Sequence, residues 1–199
     1  MTQSDVNYYN VNAELFIQNT LNVDMEKLHQ RFIDNLPKHS KILDAGCGSG
    51  RDTLAFMKMG FSVDAFDASI KMVESAKKLT GLPVKHNRFD QIQVVNEYHG
   101  IWSCASLLHI KRAELPSSMQ VLANTLKDTG IWFISFKYGS EEREKDGRFF
   151  TDLTEELLID LVSEVKDIQI ESMWTSVDQR PDRCEKWLNA LLRKTTIKL

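Results

Sequence analysis

Residues 41–53, which read K-I-L-D-A-G-C-G-S-G-R-D-T, constrain the fold more than any other stretch of the chain. The apolar pair Ile42-Leu43 runs into Asp44, and Gly46, Gly48 and Gly50 follow at alternate positions. Apolar residues then return at helical spacing through Leu54, Phe56, Met57 and Met59. The pattern predicts a buried strand, a tight turn and the start of a helix. Glycine in such a turn takes positive φ without penalty and lets the backbone approach a ligand. The helix start behind it offers free N–H groups and a positive dipole end to a carboxylate or phosphate. Glycines in a βα turn also serve sterics alone, so the turn needs a second signal.

That signal lies about twenty residues past the first glycine, where the apolar run of residues 61–66 ends in Asp67. An acid at that place in a doubly wound fold accepts hydrogen bonds from ribose hydroxyls. A dinucleotide-binding turn would read G-x-G-x-x-G, and here the sixth position is Arg51. The chain instead reads D-x-G-x-G-x-G, which resembles motif I of the class I S-adenosylmethionine-dependent methyltransferases. Residues 63–69 resemble their second motif. Residues 48–53, with the Arg51-Asp52 pair, resemble the tellurite-resistance type.

Apolar spacing orders the remainder. Residues 8–36 read as two helices, with Asn12 and Asp24 as candidate caps and Pro37 as the stop. Strands are expected at 41–45, 62–66, 84–89, 101–105 and 131–137, with helices between them. Ser69 caps the helix carrying Met72, Val73, Ala76 and Leu79. A polar loop is expected at 138–148, then a helix through Leu157, Leu161 and Val165. Strands at 168–176 and 186–192 have no helix between them and should pair antiparallel. Repeated βα units imply a mostly parallel sheet with helices on both faces. The resemblance implies an α/β, Rossmann-like doubly wound sheet of about seven strands, its last strand antiparallel and inserted beside the fifth.

The 199 residues suit a single domain, with residues 1–40 covering the site and 41–199 forming the core. A net charge of −3 offers no global basic field for nucleic acid or anionic membrane. No apolar run reaches membrane-spanning length, and the first residues do not read as a signal peptide. Cys47, Cys104 and Cys184 are too scattered for a disulfide framework or a metal site, so a cytoplasmic protein is expected.

The resemblance also implies the cofactor, S-adenosyl-L-methionine, leaving as S-adenosyl-L-homocysteine. The turn of Gly46, Gly48 and Gly50 would wrap its methionine part, and Asp44 would orient its amino group. Asp67 would hold the ribose, since a carboxylate accepts two hydrogen bonds at once. Asp64 lies inside the strand, one face away. Phe89 and Asp90 match the place of adenine contacts, with an ordinary turn as the alternative. Carbonyls near Cys104 and Ala105 would face the amino group, and Cys47, Arg51, Ala68 and Met72 complete the implied contacts. Tyr8 and Tyr9, ahead of the first helix, resemble tyrosines that close over the cofactor. On the acceptor side stand Tyr9, His109 and Arg148, the last beside two phenylalanines that suit an anionic or aromatic acceptor.

Three functions compete. A small-molecule methyltransferase fits the compact size. An RNA or protein methyltransferase would want a richer basic patch, and the N-P-P-Y-type motif of enzymes acting on base amino groups is absent at residues 104–107. A non-catalytic S-adenosylmethionine-binding module is the third. The expected partner is a small molecule rather than membrane or nucleic acid, and the protein a monomer or homodimer.

Overall fold

The computed structural model describes residues 2–178, 180 and 183–195. Seven strands form one sheet: β1 (Lys41–Ala45), β2 (Ser62–Asp67), β3 (Lys85–His86), β4 (Tyr98–Ser103), β5 (Leu126–Lys137), β8 (Ile168–Val177) and β9 (Lys186–Lys194). Their order is β3-β2-β1-β4-β5-β9-β8. All contacts from β3 to β5 are parallel. The last strand, β9, runs antiparallel between β5 and β8. The expected mixed sheet is therefore present, with its reversed strand where the resemblance put it.

Both faces of the sheet are covered, and the strand period of two distributes the core. Ile131 and Phe133 face one apolar cluster, with Ile42, Val63 and Trp102. Phe32 of α3 (Glu26–Ile33) and Phe56 of α4 (Arg51–Lys58) close over that cluster. Trp132, Ile134 and Phe136 face the opposite cluster, against α6 (Leu115–Thr125) and α7 (Glu155–Ser163). Trp102 and Phe133, partners in register across β4 and β5, stack at 4.0 Å. Helix α5 (Ile70–Thr80) lies over β2, and the Ser69 hydroxyl accepts from Met72 N as expected of a cap.

Three local expectations are corrected. The N-terminal segment holds three helices, α1 (Gln3–Val11), α2 (Ala13–Thr20) and α3. A reciprocal cap between Thr2 and Asp5 starts α1, so Tyr8 and Tyr9 lie within a helix and not ahead of one. Asn12 makes no cap hydrogen bond to α2; its amide donates back to the Tyr8 carbonyl. Strand β3 is two residues long, because the chain turns at Phe89–Gln91 into a short 3-10 helix.

A fourth correction matters most for the site. The expected loop at 138–148 contains a hairpin, β6 (Glu142–Lys145) and β7 (Arg148–Thr151). Asp146 and Gly147 turn it with φ of 54° and 75°, the pair of positive angles that a two-residue hairpin turn demands. The Asp-Gly dipeptide was the missed signal. Gly147→Ala places a side chain in that left-handed turn, at a cost of about 1 kcal/mol. Hydrogen exchange across 142–151 should quicken while the sheet stays protected; unchanged exchange would show that the turn does not hold the hairpin.

Candidate active site

The carboxyl ends of β1, β2, β4 and β5 open into a cavity of about 510 Å³, roofed by α1 to α3 and the β6–β7 hairpin. The turn after β1 forms its floor. Gly46 has φ of 82°, and a Cβ there would sit 2.5 Å from the Ser106 Cβ. Only glycine lets β1 leave the sheet beneath the segment following β4, which Ser106 fastens by donating to the Ala45 carbonyl. Gly48 N–H donates to Asp67 Oδ2 at 2.9 Å, and Ser69 N–H donates to Oδ1 at 2.8 Å. One acid thus joins the glycine turn to the start of α5. Burial raises its pKa against those hydrogen bonds.

Two further acids lie beneath the turn. Asp52, in the first turn of α4, accepts from His29 Nε2 at 3.0 Å, Arg51 Nε and Nη2 at 2.7 and 2.8 Å, and Trp102 Nε1 at 2.9 Å. Burial opposes its ionisation, and the Arg51 charge with the His29 and Arg51 hydrogen bonds overcomes it, holding the carboxyl far below the usual range. Among the described residues, the Asp44 carboxyl accepts only from the Thr53 hydroxyl, at 2.5 Å. Burial, and next the charge of Asp52, push its pKa up to about 8. Burial lifts the Cys104 thiol to about 12 and the Cys47 thiol well above its ordinary value, so neither is a thiolate at neutral pH.

The opposite end is built by α1 and the hairpin. His109 is buried, and its Nδ1 lies 2.7 Å from the Phe149 carbonyl. A carbonyl only accepts, so Nδ1 carries the ring proton and Nε2 accepts from the Tyr9 hydroxyl at 2.8 Å. Burial lowers the His109 pKa to about 4 and raises that of Tyr9 to about 12, so both are neutral at pH 7. Arg148 stands beside the Tyr9 hydroxyl and over the Tyr8 ring, 4.3 Å from its centre.

Of the residues singled out in the sequence, Tyr9, Asp44, Gly46, Cys47, Gly48, Arg51, Asp67, Met72, Cys104, Ala105, His109 and Arg148 line this one cavity. Five others do not. Tyr8 stacks beneath Arg148, and Gly50 packs on Ala76 of α5. The Ala68 carbonyl bonds His86 Nε2. Phe89 is in the core, edge-on to Phe66, and Asp90 is on the surface beside Arg88. Phe89 and Asp90, matched in the sequence to adenine contacts, are thus not among the residues lining this cavity. Asp64 is off the site as expected, paired with Lys41. The cavity also holds Asp52, Lys137, Phe150 and Trp174, which sequence reasoning did not rank.

Residues 42–130 match the model of a methyltransferase domain family. An uncharacterized methyltransferase of Staphylococcus carnosus (strain TM300) is 24% identical over 136 residues, covering 65% of this chain and 66%, just under two thirds, of that protein. Among solved structures, the 1,6-didemethyltoxoflavin-N1-methyltransferase of Burkholderia thailandensis, with bound 1,6-didemethyltoxoflavin and S-adenosylhomocysteine, superposes with a TM-score of 0.77. It is 20% identical, over 96% of this chain and 86% of that one. The magnesium protoporphyrin IX methyltransferase of Synechocystis PCC 6803, with bound S-adenosylhomocysteine, gives 0.71 at 17% identity, over 96% and 98%. Residues 42–130 of this chain thus match a methyltransferase domain, and the chain has the fold of these S-adenosylhomocysteine-bound methyltransferases.

Proposed function

We propose that the protein transfers a methyl group from S-adenosyl-L-methionine to a small-molecule acceptor. One observation carries the reading: two buried carboxylates, Asp44 and Asp67, flank the glycine turn and face the same cavity. The donor set fits the cofactor. Asp67 accepts from backbone N–H groups at both oxygens, and a carboxylate's four lone-pair sites leave capacity for a ribose hydroxyl. Asp44 is buried without a cation of its own, and an ammonium group would relieve it. The backbone of Gly46 and Gly48 leaves room along the floor, and Met72 adds an apolar wall.

Bound, the cofactor supplies an electrophilic methyl group on a sulfonium. The chain contributes position and proton handling. Holding the acceptor in line with the donor converts a bimolecular step into an intramolecular one. Neutral His109 can receive the Tyr9 proton at Nε2 as the Tyr9 oxygen takes one from an acceptor hydroxyl or amine. Small acceptors suit a cavity of about 510 Å³ under a roof, and the superposed relatives act on small molecules. The same reading makes residues 1–40 a cover over a core of 41–199. It takes the protein as a cytoplasmic monomer or homodimer, in keeping with three free cysteines and, among the described residues, no helix long and apolar enough to cross a membrane.

S-adenosylhomocysteine should bind in the micromolar range, roughly 7 to 9 kcal/mol. Asp67→Ala should weaken it by about 1.5 to 3 kcal/mol, the scale of hydrogen bonds to a charged group. Calorimetry showing heat with NAD and none with S-adenosylhomocysteine would overturn the proposal.

Asp44 predicts a proton linkage. Its pKa stands above the ordinary carboxylate value in the free protein, so it is largely protonated below about pH 8. An ammonium beside it lowers that pKa, and binding should release a proton between about pH 5 and 8. Binding enthalpies in buffers of different ionisation enthalpy measure the release, and Asp44→Asn should abolish it. A release that persists in the variant would place the proton elsewhere.

For His109 the test is its titration. The ring should remain neutral down to about pH 4, seen in the nitrogen and carbon shifts of labelled imidazole. A ring that is cationic at pH 7 would remove it as a proton acceptor.

A further inference from the structure

The end of the cavity away from the glycine turn has a charge pattern that methyl transfer by itself does not require. Lys137, the last residue of β5, and Arg148, the first of β7, both line the cavity and both face the Phe150 ring. Their charged groups stand 4.7 and 5.2 Å from its centre. Phe150 is buried, and Lys137 is 8% exposed. Cations gain from a ring face, but a burial this deep is costly unless a counter-charge compensates it.

The counter-charge present falls short. Among the described residues, Arg148 has an ion pair only with Asp146, at 3.8 Å, on the exposed hairpin turn. Its Nε is buried and has no hydrogen-bond partner among those residues. Lys137 bonds Glu185 at 2.9 Å, yet that one carboxylate is shared with Lys145, Arg180 and Arg183. Arg180 has a second acid in Asp178; Lys137 and Lys145 have no second ion pair among the described residues. The cofactor end holds more acids than cations, Asp44, Asp52 and Asp67 beside Arg51, with Asp44 uncharged until a cation arrives. The cavity is polarised along its length.

We propose that Lys137 and Arg148, on the Phe150 ring, form a subsite for an oxyanion carried by the acceptor, a carboxylate or a phosphate. The acceptor is then a small molecule with an anionic group at one end. Its reactive hydroxyl or amine lies toward Tyr9, whose hydroxyl is beside the same guanidinium. The positive pair offsets the acceptor's charge, and the fork of Arg148 fixes its orientation. Electrostatic bias against neutral look-alikes gives selectivity. This rests on the methyltransferase reading, since it assigns the other end of the cavity to the cofactor.

The test titrates the protein, loaded with S-adenosylhomocysteine, with benzoate, phenyl phosphate and benzamide. At least one anion should bind tenfold or more tighter than the neutral amide, and which one does so separates carboxylate from phosphate. Lys137→Met and Arg148→Gln should each weaken that anion at least fivefold, with S-adenosylhomocysteine affinity within twofold of the parent. Arg148→Lys should keep most of the preference, which a loss through misfolding would not. Equal binding of anion and amide, no binding of any probe, or a preference that survives both substitutions would overturn the subsite alone. Failure of S-adenosylhomocysteine to bind would instead strike the methyltransferase reading, and this proposal with it.

Discussion

The ionised carboxylate of Asp52 is the interaction on which the rest of the structure leans. It sits in the first turn of α4, where the helix dipole favours an anion. His29 reaches it from α3, Trp102 from β4, and Arg51 from its own helix. Arg51 extends the network by donating to the Thr20 carbonyl at the end of α2. One buried charge therefore binds the N-terminal helices to the sheet. Removing a partner from such a network leaves uncompensated charge inside, at a cost of about 3 to 5 kcal/mol. It also adds to the chemistry above it: burial first, and then the ionised Asp52, keep neighbouring Asp44 from ready ionisation. The fold thus creates a carboxyl whose charge becomes favourable only when a cation arrives.

That dependence gives the cavity its direction. Acids gather where two parallel strands, β1 and β2, end and helices begin, and cations gather where the reversed strand and the hairpin close the far side. In an open α/β sheet the carboxyl edge is where ligands bind. Here the antiparallel insertion changes which residues meet that edge. Strand β9 lies between β5 and β8 and brings Glu185, Trp187 and Asn189 to the acceptor end.

Much of this was legible in the sequence, for identifiable reasons. The β1 turn and Asp67 could be read because their geometry is local: strand, glycines and acid follow one another at fixed distances. Tyr9, His109 and Arg148 could be grouped because each was expected at the same sheet edge. The Tyr9–His109 hydrogen bond spans 100 residues, and no spacing encodes it. His29 illustrates the same limit, since a lone histidine on an amphipathic helix reads as core until Asp52 is seen beneath it. The strand expected at 84–89 was read too long: it stops at His86, and Phe89 and Asp90 fall in a short 3-10 helix. The hairpin was a different failure: Asp146-Gly147 is a local signal, and the run of charges around it masked the turn.

How a ligand enters a covered cavity follows from what holds the cover. Helix α1 buries one residue, Asp5, and that residue is polar. Its grip on the body is a set of hydrogen bonds at three points. Phe149 N–H donates to Asp5, the Tyr9 hydroxyl donates to His109, and the Ser69 hydroxyl donates to Asn10. Each is worth about 0.5 to 1.5 kcal/mol, and water replaces much of it when the contact opens. Helices α3 and α4, by contrast, are fastened by Phe32 and Phe56 in an aromatic core of tilted and edge-on rings. Opening α1 is therefore far cheaper than disturbing the sheet, and belongs to the low-energy end of local unfolding. The same contacts that close the cover also place Tyr9 on His109, so the proposed proton path is complete only when the cavity is shut. Access and assembly of the acceptor site become one motion of one helix.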